Sequence, residues 1–347
     1  MAISKKAHEI LNREDLIAKR DEWFRRLQNV FTSERDPWND QYTFGVKGVL
    51  GRGQHDPYQE PEKWVEDCLE DLAEQYEAIE NETYFRPLCV EYGPYGVHYI
   101  DKMLGAKVFQ NAGQWYNEYL TTPIGQLQSP DLDTNEVWLG TKRAMQAFVD
   151  ADVRLPVFGL PTIASALNIA VNLYGQEILM EMLLDPENAQ ADMETINNLL
   201  CELHRCCRET IPAQQLQPVI SWERTQPPGY GQLCGCTTQL ISGETYQEIV
   251  APLDDKLLSV YPNGGMIHLC GAHTQHMEAF RNMKSLKALQ LNDRAAADLA
   301  VFHRELREDQ VLYLVPCKEM SVAEAMEITG GKRLVVISNL QEPLLKK

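Results

Sequence analysis

Gly264-Gly265-Met266-Ile267-His268-Leu269-Cys270-Gly271-Ala272-His273 opens on paired glycines, runs apolar and stops at another glycine. That pattern predicts a short buried strand ending in a turn. Side chains alternate faces along a strand, so His268 and Cys270 point the same way. An imidazole and a thiolate on one face suit a borderline-soft ion such as zinc, and a catalytic zinc site takes three protein ligands and keeps one position open. The third ligand expected is Cys317, which ends a second apolar run, Gln310-Val311-Leu312-Tyr313-Leu314-Val315-Pro316-Cys317. The competing reading is a buried core histidine and cysteine with no ligand.

Working outward, eight short apolar runs alternate with helix-like segments: Pro87 to Tyr92, Ala106 to Phe109, Arg154 to Gly159, Pro218 to Trp222, Met266 to Leu269, Leu286 to Leu291, Val311 to Val315 and Leu334 to Ser338. Alternation of this kind implies parallel strands joined by right-handed crossovers, and eight units close into a (β/α)8 TIM barrel. The division expected is an N-terminal helical extension over 1–82, packed on a barrel over 83–347. Within the extension, Trp64, Cys68, Leu69, Leu72, Tyr76 and Ile79 recur at helical spacing. Residues Gly45 to Gly53 are rich in glycine but lack the Lys-Ser/Thr of a phosphate loop, and they read as a mobile loop able to cover a site. Ser242 reads as a helix cap, and Ser321 with Glu324 as a capping box closed by Gly330-Gly331.

The 347 residues carry 50 acidic and 32 basic side chains, a formal net charge of −18. Nucleic acid and anionic membranes need basic surface, so neither is an expected partner. No apolar run is long enough to span a bilayer, and the N-terminus lacks the apolar core of an export signal. The 9 cysteines, two of them adjacent, do not form a disulfide framework. A cytoplasmic protein with available thiols is expected.

Barrel active sites sit where strands end. The polar residues there are Glu91, Asn111, Glu223, His268, Cys270, Asn292, Asp293, Cys317 and Asn339. Glu223 reads as a fourth ligand or general acid, or equally as half of a salt bridge. Cys234 and Cys236 are alternative thiolates, read in preference as small buried residues in a loop. His273 and His276 follow the strand end, where one can orient a ligand or donate a proton. Glu91, Asn111, Trp222 and Asn292 are the candidate substrate-pocket residues, and Trp115, Tyr116 and Trp222 either wall that pocket or pack.

The segment Leu240-Ile241-Ser242-Gly243-Glu244-Thr245-Tyr246 through Pro252-Leu253, followed by His268-Leu269-Cys270-Gly271, resembles the uroporphyrinogen decarboxylase superfamily. Tyr95-Gly96-Val97-His98, Leu104-Gly105-Ala106, Leu173-Tyr174-Gly175 and Leu184-Asp185-Pro186-Glu187 follow the order of that family. The arginine-rich N-terminal segment of its metal-free decarboxylase branch is absent. His268, Cys270 and Cys317 match the zinc-binding His-x-Cys and distant Cys of its corrinoid-dependent methyltransferases. The resemblance therefore implies zinc, a corrinoid carried by a partner protein, and a small methylated substrate (a methoxy or methylamine compound) or a thiol acceptor, with Glu223 and His273 as the catalytic candidates. It leaves open a homodimer, a carboxy-lyase, and a barrel that binds a corrinoid without turnover.

Overall fold

The computed structural model describes residues 3–32, 43–161, 164–218 and 222–337. Its strands are β1 Thr43–Val46, β2 Val49–Leu50, β3 Leu88–Glu91, β4 Val108–Asn111, β5 Gln114–Asn117, β6 Val157–Gly159, β7 Leu216–Gln217, β8 Gly231–Cys234, β9 Gly265–Cys270, β10 Leu286–Asn292, β11 Val311–Leu314 and β12 Leu334–Ile337. Six form one parallel sheet in the order β1-β12-β11-β10-β9-β8, and four form another in the order β2-β3-β6-β7. The molecule is thus a mixed α/β protein built mainly on parallel strands. β11 is buried along its whole length and β9 up to Leu269, as expected of parallel strands covered on both faces.

Each parallel step from β8 onward is made by a helical crossover. The one between β11 and β12, Val322–Thr329, starts at the expected capping box of Ser321 and Glu324 and ends at Gly330, whose φ of 60° is left-handed. The crossover between β8 and β9 is capped by Ser242 and carries a π-helical turn over Tyr246–Val250. Pro252, just inside the next helix, has no N–H to continue the ordinary ladder.

Three parts of the strand reading change. Residues 106–109 do not enter a parallel sheet, because Val108–Asn111 pairs antiparallel with Gln114–Asn117 in a separate hairpin. Ala112 and Gly113 both adopt positive φ, at 50° and 80°, the backbone that a two-residue hairpin turn requires. The strand expected from Pro218 is instead β7 at Leu216–Gln217, and Val219 to Ser221 lie outside the described residues, as does Asn339. Gly231–Cys234, read as a loop, is the strand β8.

The supposed mobile loop at 45–53 is also strand. β1 pairs with β12 and β2 with β3, so the stretch belongs to both sheets. Gly48 is required by close approach, since a Cβ there would lie 2.9 Å from Trp222 Cα and 3.0 Å from the Pro87 carbonyl oxygen. Only Lys47 and Gly48 separate β1 from β2. On the other side Ala164, in the segment after β6, makes a parallel bridge to Cys234 of β8, the margin of the six-stranded sheet. The segment from Trp222 to Thr225 crosses between the sheets: Gly48 N–H donates to the Trp222 carbonyl at 2.7 Å, and the Tyr313 hydroxyl donates to that of Thr225 at 2.9 Å.

The N-terminal helices lie against this framework. Arg20, buried on Glu14–Thr32, donates to the Leu155 carbonyl at 3.1 Å and to that of Arg154. Trp23 stacks on Phe85 and Phe24 meets it edge-on, with ring centroids 5.9 and 5.0 Å away. Among the described residues no helix is long and apolar enough to cross a membrane.

Candidate metal centre

Register places the site. Cys234 of β8, His268 of β9, Gln290 of β10 and Tyr313 of β11 are successive partners across four parallel strands, and Cys270 is partnered by Asn292 one layer further along. Paired residues on neighbouring parallel strands share a face, so one row of side chains runs across the sheet at this level.

Within that row the amide oxygen of Gln290 meets Nδ1 of His268. An amide oxygen can only accept, so the proton sits on Nδ1 and leaves Nε2 bare. Nε2 is 3.0 Å from the sulfur of Cys270, and the Asn292 amide donates to the same sulfur at 3.6 Å. The third member is Cys236, two residues beyond the end of β8. The ligand atoms of Cys236, His268 and Cys270 all lie within 4.8 Å of one another. Tetrahedral zinc with bonds of about 2.0 to 2.3 Å separates its ligands by roughly 3.3 to 3.8 Å, so small side-chain movements close the set. Two thiols and one imidazole with its Nε2 lone pair free fit that ion and leave a fourth position for substrate.

The thiols divide their protons unequally. Hydrogen bonding from Cys236, with help from Asn292, holds the Cys270 thiol well below its ordinary value against the opposing effect of burial. Facing that charge, and itself buried, the Cys236 thiol is pushed up. One ligand is therefore ready to bind as thiolate, and the other releases its proton when a cation arrives.

Of the residues selected from sequence, His268, Cys270 and Asn292 come together here. Cys317 does not join them: its sulfur lies 4.0 Å from the Asp293 carbonyl oxygen. The chain turns back after β11, where Cys317 and Met320 form an antiparallel bridge. Glu223 is engaged by Lys47 at 3.2 Å, and the Lys47 ammonium sits 3.9 Å above the ring of Trp222. That is the salt-bridge alternative, made with a cation from between β1 and β2. His273 is fully buried and donates from Nε2 to the Cys270 carbonyl at 2.6 Å, while its Nδ1 meets the Thr238 hydroxyl at 3.1 Å. With both nitrogens engaged, and burial lowering its pKa, it holds the backbone behind the site. Glu91 ends β3. Asn111 is exposed on the β4–β5 hairpin, outside both parallel sheets. Trp115 of that hairpin packs against Tyr58 and Tyr95, at centroid distances of 5.8 and 5.2 Å.

Cys236 is the member of this group that the sequence reading placed in a loop in preference to a ligand role. The available signal was its spacing from Cys234, but a Cys-x-Cys pair says nothing about facing His268 until β8 is known to be a strand beside β9. A short 3-10 turn, Cys236–Leu240, continues from that strand end. Asn168 fixes the turn, its side-chain oxygen accepting from Thr237 N–H at 3.0 Å.

A solved structure described as a methyltransferase from Methanosarcina mazei superposes with a TM-score of 0.64 at 12% sequence identity, covering 93% of this chain and 95% of that one. The chain shares that protein's fold. No family model matches the sequence, and no curated protein matches it. At this identity the likeness carries the architecture, and the chemistry rests on the side chains.

Proposed function

We propose that this chain is a zinc-dependent methyltransferase of the uroporphyrinogen decarboxylase superfamily, moving a methyl group between a small methylated substrate or thiol and a corrinoid on a partner protein. The observation that carries the reading is the convergence of Cys236, His268 and Cys270 at the ends of adjacent parallel strands. The methyltransferase fold of the superposed structure supports it. In this reading the two sheets are arcs of one (β/α)8 barrel: β1 and β2 are a single bent strand, and the bridge from Ala164, after β6, to Cys234 of β8 links the sheets on the other side. The N-terminal extension then ends before β1.

Zinc held by two thiolates and an imidazole supplies mild Lewis acidity, enough to keep a substrate thiol ionised at neutral pH or to stabilise the atom that leaves a methyl group. The protein's own work is positional. Gln290 fixes the tautomer of His268, Asn292 orients the Cys270 sulfur, and His273 anchors the backbone at the turn after β9. A corrinoid on a carrier protein would approach the strand ends, where Cys236, His268 and Cys270 would hold the zinc with a fourth position open. The 9 cysteines are all free thiols, in keeping with a reducing cytoplasm.

The test is methyl exchange with free cobalamin. Zinc-loaded protein is incubated with cob(I)alamin and a panel of methoxy-aromatics and methylamines, and with methylcobalamin and a panel of thiols. The spectrum of the cobalamin should change with at least one compound and stay still in the Cys270→Ala variant. A protein that binds zinc and turns over nothing in either panel would overturn the methyl-transfer reading.

A further inference from the structure

Counting on from the last paired residues of β8 and β9, Cys236 and Cys270 fall opposite each other. Cys234 is paired with His268, and Gly235 N–H donates to the His268 carbonyl at 2.9 Å, which keeps the two chains abreast. Cys236 and Cys270 each lie two residues beyond that pair. Neighbouring parallel strands run about 4.8 Å apart, inside the roughly 4.4 to 6.8 Å that separates the Cα atoms of a disulfide. The side chains agree with the backbone: the two thiols are hydrogen-bonded to each other, and their sulfurs lie within 4.8 Å.

The surroundings favour this pair over any other. The Cys234 sulfur accepts from Arg224 Nη1 at 3.5 Å, and the Cys317 sulfur sits 4.0 Å from the Asp293 carbonyl oxygen. Cys68, Cys89, Cys201 and Cys207 are buried, whereas Cys236 and Cys270 are half-buried and open to a small oxidant. Both backbones are pinned. The Cys270 carbonyl accepts from His273 Nε2 at 2.6 Å, and Thr237 N–H, next to Cys236, donates to Asn168 at 3.0 Å. These contacts hold the two sulfurs face to face whether or not a cation is bound.

We infer that Cys236 and Cys270 are a redox-modification site, closing to a reversible disulfide when the metal-free protein meets a peroxide. Cys270, whose sulfur accepts from Asn292, attacks one peroxide oxygen. The oxygen–oxygen bond breaks, a sulfenic acid forms on Cys270, and the other oxygen leaves as water with the thiol proton. Cys236 then attacks the Cys270 sulfur, and the sulfenic hydroxyl leaves as a second water with the Cys236 proton. Two thiols are oxidised by two electrons, and one hydrogen peroxide is reduced to two waters. The bridge consumes two members of the proposed ligand set, so disulfide and bound zinc exclude each other, and a dithiol reverses the change. Only that exclusion rests on the zinc reading; the pair itself stands on register and sulfur contact.

The test exposes the full-length chain, metal-free and zinc-loaded, to a few equivalents of hydrogen peroxide. The metal-free protein should lose two of its 9 thiols and two hydrogen masses, with the bridge mapped by peptide mass to Cys236 and Cys270. Dithiothreitol should restore both thiols and the capacity for zinc. The zinc-loaded protein should oxidise roughly tenfold more slowly, because the cation holds its thiolates. Cys236→Ser should stop at a sulfenic acid on Cys270, trapped with dimedone. A folded metal-free parent that forms no bridge, or one that bridges another pair, overturns the inference, whatever the serine variant does. A bridged protein that still binds zinc upholds the disulfide and removes Cys236 and Cys270 as ligands. Zinc bound by a chain whose metal-free form never bridges does the reverse.

Discussion

Two parts of the molecule hold cysteine and histidine close together, and only one of them converges. On the helix Pro186–Thr210, His204 and Cys207 are three residues apart and so share a face. Both are buried. Nδ1 of His204 meets the Tyr261 hydroxyl at 2.7 Å, and burial pushes the Cys207 thiol up. In the strand-end cluster, by contrast, hydrogen bonds from Cys236 and Asn292 hold the Cys270 thiol low. Burial alone keeps a thiol protonated and inert; convergent donors ready it to bind a cation.

The sharpest way to break this contrast is to delete one thiol from each region and measure zinc by elemental analysis. Cys270→Ala should fall from about one zinc per chain to almost none while the protein remains folded, because two ligands seldom hold the ion against a mild chelator. Cys207→Ala should keep its zinc and lose roughly 1 kcal/mol of stability, as expected for trimming a buried side chain. Retention of zinc by Cys270→Ala, or its loss from folded Cys207→Ala, would erase the distinction.

The third ligand comes next in size. Cys236→Ser should weaken zinc binding about 100-fold, since a serine oxygen is a poor substitute for a thiolate, and Cys317→Ser should stay within roughly threefold of the parent. Competition with a chromogenic chelator reads both. The opposite order would show that the turn after β11 swings Cys317 in when metal binds, and that the cluster of Cys236, His268 and Cys270 closes in another way.

What the sequence made legible follows from where periodicity is strong. β9, β10, β11 and β12 are largely apolar runs bounded by turn residues, and His268 and Cys270 could be placed on one face from spacing alone. β1 and β8 each carry a glycine and a polar residue, and β2 is two residues long, so composition pointed to loops. Those were the misread strands, and the misreadings propagated. With β8 unseen, Cys236 had no neighbour, and Cys317 was the third thiol preferred. Gln290, which fixes the tautomer of His268, gives no local signal; its role is created by the pairing of β9 and β10.

The smallest expected effect concerns the helix histidine, and its sign follows from burial. Desolvation lowers His204 to about 4 from its ordinary value of 6.5. Between those values the unfolded chain binds a proton that the folded chain refuses, so the His204 contribution to stability is intact above pH 6.5 and is lost as pH falls toward 4. By pH 5 the loss amounts to about 2 kcal/mol. His276, also lowered to about 4 by burial, acts in the same direction. Asp254, raised to about 7 by burial, acts in the opposite one, binding its proton in the folded state first. The total slope between pH 7 and pH 5 therefore mixes cancelling parts, and only a difference isolates His204. Urea unfolding of chelator-treated protein at both pH values, in the parent and in His204→Gln, provides it. The variant is less stable at pH 7, having lost the imidazole contact with Tyr261, but it should destabilise less than the parent on acidification, closing the gap by about 2 kcal/mol. A gap of constant size would mean that His204 titrates alike in both states, and that the helix region is wetter than its burial implies.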